Sequence, residues 1–196
     1  FGFLQALALG VFLSIVLFVV SYSSQNFVRL KTTLAARRST IERDLAELDY
    51  FAQVGDTIHI IEFSGYLFFG TAARMREFID TELAESGSAV DTMILDFSRV
   101  QGIDASAANS LHQIIQSCDA RGIALLVSGL AGNAKEKLHK FYGAENPITA
   151  IEYDNLDRAL QIAEQLVLDS APDAGDEKYQ SSFYKTLVTR SPEYNL

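Results

Sequence analysis

Residues 93–111 read MILDFSRVQGIDASAANSL. The apolar run that ends in Asp96 has the length and composition of a buried strand. A short loop follows, with Val100 and Ile103 as apolar anchors. Asp104-Ala105-Ser106-Ala107-Ala108 then opens a helix. Asp104 suits the N-cap, because its carboxylate can accept from amides one turn on. The helix dipole favours the same negative charge. The small residues after it let this first turn lie close to neighbouring backbone.

Outward from this stretch the chain alternates strand and helix. Thr57 to Phe63, TIHIIEF, is rich in β-branched residues and lies between Gly55 and Gly65, a strand signal. Tyr66 to Phe69 is expected to form a second short aromatic strand after a Ser64-Gly65 turn. Met75, Phe78, Ile79 and Leu83 predict an amphipathic helix over residues 71–86. Ala107, Leu111, Ile114, Ile115 and Cys118 give the helix from Asp104 to Arg121 its apolar side, and Gly122 stops it. IALLVS at 123–128 is another buried strand, and Ala131 to Tyr142 is a helix ending at Gly143. Ile148 to Ile151 is a candidate edge strand, and Asp154 opens a last helix carrying Leu156, Ala159, Leu160, Ala163, Leu166 and Val167. The pattern predicts an α/β domain with helices covering a largely parallel sheet.

Upstream, residues 1–20 read FGFLQALALGVFLSIVLFVV, with no charged side chain. About 20 apolar residues span a hydrocarbon core of about 30 Å. The run is read as a membrane helix, since a signal peptide needs a basic leader and a small-residue cleavage site. Arg29, Lys31, Arg37 and Arg38 follow before the first acid, Glu42, which favours a cytoplasmic position for what comes after. Tyr22 suits the interface. Gly2, Ala6, Gly10 and Ser14 recur every four residues, either to let another membrane helix approach or because small residues are common in such helices. The first residue is Phe rather than Met, so the chain is read as continuing an upstream segment.

Residues 27–50 are rich in helix formers, and Ser39-Thr40-Ile41-Glu42 fits a capping box, which predicts a linker helix. The expected division is a transmembrane helix over 1–26, a linker helix over 27–50, the α/β domain over 51–169 and a polar tail over 170–196.

Composition narrows the function. The net charge is −9, and no basic stripe is present for nucleic acid. One cysteine, Cys118, excludes an internal disulfide. His59, His112 and His139 have no metal-ligand spacing with it. No Walker-type loop or GxGxxG is present, and Ser128 to Gly132 reads as a strand–helix turn whose helix start could hold an anion weakly. Ser106 and Ser110 lack a base and an orienting acid for hydrolysis. Asp96 sits where a response-regulator phosphoacceptor would, but no Lys follows the IALLVSG strand; Lys135 and Lys137 lie in the next helix. Tyr66, Phe68 and Phe69 are read as core. No cofactor and no enzymatic activity are expected.

The strand, loop and Asp-small-Ser-Ala helix start at 93–111 resembles the STAS family, shared by sulfate-permease (SulP) transporters and bacterial anti-sigma-factor antagonists. Arg38-Ser39, Glu42-Arg43 and the stretch SGYLFFG at 64–70 resemble a subset of bacterial and fungal SulP proteins. The resemblance covers most of residues 38–168 and implies a mixed sheet covered by helices, preceded by the last transmembrane helix of an anion transporter. It implies a regulatory and assembly role, membrane lipid and upstream transmembrane helices as partners, a homodimer, and weak anion or nucleotide binding as an open option. The antagonists carry a phosphorylated Ser directly after the motif Asp; here that position is Ala105. Ser106, one residue on, is expected to bond backbone. Asp96, Asp104, Ala105, Ser106 and Ser110 are the candidate interaction residues. A membrane-tethered signalling adaptor is the alternative reading.

Overall fold

The computed structural model describes residues 2–23, 26–85, 90–130, 132–142 and 151–169. Phe1, the Tyr22 side chain, Gly143, the expected strand start at Ile148 and the 170–196 tail lie outside the described residues.

Helix α1, Phe3–Ser23, has 21 residues, about 31 Å of helix. Its stretch Phe3–Val20 is long and apolar enough to cross a membrane, and none of it is buried in the rest of the described chain. The sheet comprises β1 (Val28–Thr33), β2 (Ile58–Leu67), β3 (Thr92–Ile103), β4 (Ala124–Ser128) and β5 (Ile151–Tyr153), side by side in chain order. Strands β2 to β5 are parallel, and β1 runs antiparallel to β2 along one edge. The mixed α/β fold is therefore the one expected.

Helices α3 (Phe69–Glu85), α4 (Ala105–Ala120) and α5 (Asn133–Tyr142) cover one face. Met75, Ile79, Leu111, Ile115 and Leu138 pack there on Ile61, Phe63, Met93, Leu95 and Val127. Helices α2 (Leu45–Val54) and α6 (Leu156–Asp169) cover the other, with Phe51, Leu160, Ala163 and Leu166 on Ile60, Ile94 and Leu126. Odd and even strand residues thus serve separate cores, as the two-residue strand period requires.

Three local expectations change. Residues 27–50 do not form one linker helix: Val28–Thr33 is an edge strand, and the helix starts only after Asp44. The capping box is Asp44 with Glu47, both halves formed, and not Ser39 with Glu42. Ser39 is drawn instead to a distant acid, Glu164, through its amide at 2.6 Å and its hydroxyl at 2.7 Å. Second, Tyr66 and Leu67 continue β2 rather than starting a new strand; Gly65, at φ +84°, takes up a register shift that keeps the strand paired. Third, the expected loop after Asp96 is the second half of β3, paired with residues 64–67 of β2.

Strand β4 ends at Ser128, and the chain leaves it through Gly129. Gly129 has φ +70°, and a Cβ there would lie 2.5 Å from the Ser98 amide nitrogen. Only glycine fits so close a crossing.

Candidate functional site

The site forms where the carboxyl ends of β2 and β3 deliver α3 and α4. Leu67 and Ile103 are partners across the two strands, and the Asp104 amide donates to the Leu67 carbonyl at 3.0 Å. Asp104 is extended and caps α4, as its position predicts: one carboxylate oxygen accepts from the Ala107 amide at 2.8 Å. The other oxygen accepts from the Phe69 amide at 2.9 Å. One carboxylate therefore satisfies free amides at the starts of two helices. The Lys137 ammonium of α5 donates to the Ile103 carbonyl at 2.6 Å, closing this end from a third helix.

Ala105 and Ser106 are exposed on the first turn. The expected backbone bond of the Ser106 hydroxyl is not found among the described residues; Asp104 already occupies the Ala107 amide. Ser110 is half-buried at a groove of about 640 Å³ between α3 and α4, which Arg76 and Gln113 bridge at 2.6 Å.

Asp96 does not join this cluster. It is eight residues earlier on β3, on the face covered by α2 and α6, and buried. The hydroxyls of Ser98 and Ser128 donate to it at 2.7 and 2.8 Å. Neither nearby lysine reaches it: Lys137 is on Ile103, and Lys135 pairs with Glu152 at 3.2 Å. The fold thus holds Asp96 as a satisfied buried carboxylate.

Tyr66 and Phe69 are not core. Tyr66 is 39% and Phe69 63% exposed, at the tip of the same cluster. Tyr66 lies against Gly102, where a Cβ would come within 2.7 Å of its ring.

A second polar system, absent from the sequence reading, lies along the domain's edge strand and the segment after it. Glu62, Glu82 and Glu164 are each about 3% exposed or less. Each is reached from the segment between α1 and α2. Arg29 and Arg37 both pair with Glu62. Lys31 pairs with Glu82 at 2.5 Å, which also holds the His59 Nδ1 at 2.8 Å. Ser39 and Arg43 hold Glu164, and the Thr40 amide and hydroxyl reach Asp157 at 2.7 and 2.9 Å. Buried charges are tolerated only when paired in this way. Glu62 inside the apolar TIHIIEF run was the available signal: a lone acid in a buried strand demands a cation from elsewhere.

Titration follows local environment. Burial pushes the Cys118 thiol up to about 12, with Asp80 and Asp119 adding to that and Arg121 opposing it. It is an inert core thiol. Burial raises Asp91 above the ordinary carboxylate range, against a hydrogen bond from Thr57. Among the described residues no three His, Cys, Asp or Glu side chains gather as metal ligands.

Known proteins resemble this chain in sequence or in structure. A vacuolar basic amino acid transporter of Saccharomyces cerevisiae is 23% identical over 172 residues, 84% of this chain and 16% of that protein. The chain thus spans about a sixth of the curated relative that it matches. The structure of the murine Solute Carrier 26 family member A9 anion transporter, in its inward-facing state, aligns with a TM-score of 0.56 and 18% identity, covering 82% of this chain and 25% of that one. A sulfate transporter family protein from Wolinella succinogenes aligns at 29% identity and a TM-score of 0.45, over 58% of this chain and 88% of that one. The STAS domain profile matches residues 50–149, half of the chain and the whole Asp104 region. The chain belongs to the STAS domain family.

Proposed function

We propose that this chain is the final membrane helix and the cytoplasmic regulatory and assembly domain of a SulP-like transporter. The observation that carries the reading is the junction: an apolar, wholly unburied helix is followed within a few residues by β1 of the STAS domain sheet. Transporters among its relatives support it. A helix like α1, unburied among the described residues, is suited to pack on other membrane helices, and Gly10 and Ser14 allow close approach there. The basic residues after α1 favour a cytoplasmic domain. The domain carries no catalytic step. The substrate site belongs to upstream helices, so the transported species follows from them; the relatives are named for an anion in one case and basic amino acids in the other. Two such domains would meet across a homodimer through the Asp104–Ser110 surface.

The test is uptake of labelled sulfate and of labelled arginine in cells expressing the full-length gene product. Removal of residues 28–169 should abolish or sharply reduce uptake at unchanged membrane insertion. Uptake unchanged after that removal would overturn the reading.

A second reading rests on Ser106, exposed and with a hydroxyl that bonds nothing among the described residues. A tethered adaptor of the anti-sigma-factor-antagonist type would use such a hydroxyl as a phosphorylation point. Stoichiometric phosphate on Ser106 in cellular protein, with a co-purifying kinase, would favour it.

A further inference from the structure

We propose that the β2–α3 turn, with Tyr66 and Phe69, is a membrane-docking edge whose rings sit in the headgroup region of the bilayer that α1 crosses. The proposal rests on α1 being a membrane span.

Strand direction places the turn. Because β1 is antiparallel to β2, the chain leaving α1 enters the sheet at the carboxyl end of β2: Val28 pairs with Phe63, and the Ser64 amide donates to the Phe27 carbonyl at 2.9 Å. Four residue steps separate Ser23, the last of α1, from Phe27, a reach of at most about 14 Å. From Ser64, β2 continues three residues to Leu67 in the direction from which the chain came, a rise of about 10 Å. The rise of β2 beyond Ser64 is thus smaller than the longest reach of the connection, so the turn at Phe68 and Phe69 can meet the level where α1 leaves the bilayer.

The surface chemistry suits that level. Phe69 is 63% exposed although its amide is pinned to Asp104, so the ring is held outward by a fixed backbone. Phe68 meets it edge to face at 5.7 Å, and Tyr66, 39% exposed, precedes it by three residues near the end of β2. Tyrosine favours the membrane–water boundary, and an exposed apolar Phe ring gains by leaving water for the acyl boundary. Cations flank them: Arg99 is exposed on β3 opposite Ser64, Arg74 lies over the Phe27 ring at 5.2 Å, and Lys137 is at the Ile103 carbonyl. The acid at this end, Asp104, has both oxygens occupied by amides. Exposed aromatic rings with cations on the neighbouring strand and helices match an anionic headgroup layer. The net charge of −9 on the chain repels the remaining surface from such a layer and so selects this edge.

The chain has no tryptophan, so single reporters can be read directly. Phe69→Trp and, separately, Leu13→Trp are made in the full chain and reconstituted in phosphatidylcholine vesicles with phosphatidylserine. Bromine-labelled acyl chains should quench the Leu13→Trp reporter strongly, which establishes the span. The Phe69→Trp reporter should show blue-shifted emission, partial quenching by bromine near the headgroup end of the acyl chain, and weak quenching by aqueous iodide. Iodide quenching of Phe69→Trp at full strength, or shielding from both iodide and bromolipid as for a ring held against protein, would overturn the proposal while leaving the span intact. Loss of bromolipid quenching at Leu13→Trp would instead remove the span reading itself.

Discussion

The Asp104 carboxylate accepts the Phe69 amide at 2.9 Å, fastening the start of α4 to the start of α3 across the end of the sheet. The second oxygen of the same group caps α4 itself through Ala107. Asp104 is thus a junction between two helices rather than a cap for one, and the exposed aromatic turn depends on it.

Asp104→Ala should cost about 2 kcal/mol of unfolding free energy, the loss of a cap plus a charge-assisted bond to a second helix. Asp104→Asn retains an acceptor oxygen and should recover about half of that loss. Urea unfolding of the two variants checks the order, and equal losses would show that the acceptor oxygen kept by Asp104→Asn contributes nothing.

Gly122 and Gly129 share a φ of +70° but differ in surroundings. A Cβ at Gly122 meets nothing within 4 Å, whereas one at Gly129 meets the Ser98 backbone at 2.5 Å. Gly122→Ala should cost about 1 kcal/mol, the conformational term alone. Gly129→Ala adds a backbone clash and should cost about 3 kcal/mol. Thermal melting of both variants separates the terms.

Glu164 is fully buried on α6 and accepts from Ser39 and Arg43 of the segment that leads in from α1. Glu164→Gln leaves Arg43 without its buried counter-charge and should cost about 2 kcal/mol, against about 1 kcal/mol for Ser39→Ala. Limited proteolysis should then cut within residues 34–43 first. Cutting that begins elsewhere would show that the segment is held by other contacts.

Asp157 responds to acid through the same segment. Burial raises its carboxyl, but the Thr40 amide and hydroxyl and the Gln161 side chain outweigh that, and the pKa lies below the ordinary 3.8. A lowered folded pKa means that the stabilisation is complete above the unfolded value and is lost as pH falls through the folded one. The stability gap between the wild type and Asp157→Asn should therefore be constant near neutrality and close below about pH 3.8. A gap that persisted unchanged into that range, measured by urea unfolding at each pH, would rule out the ionised carboxylate as its source.

How much of this was legible in the sequence follows the range of each interaction. The apolar run of α1, the buried strands β3 and β4, the Asp104 cap and the faces of α4 and α6 were readable from local spacing. These features depend on hydrophobic period and on bonds within one turn. The α/β class and the candidate stretch at 104–110 followed from them. The exposure of Tyr66 and Phe69 was not readable, because an aromatic run has the same composition whether it fills a core or crowns an edge.

The sequence by itself determined the membrane-length helix, the alternation that builds the domain and the capped start of α4, since each is a property of residues a few positions apart. Only the tertiary structure decided that Val28–Thr33 is a strand, that Ser39 serves Glu164 and that Arg29 and Arg37 neutralise Glu62. The physical reason is that an edge strand with two cations in six residues has little local preference of its own. Its hydrogen bonds come from β2, thirty residues on, and its charges are matched by carboxylates that the folded core has already removed from water.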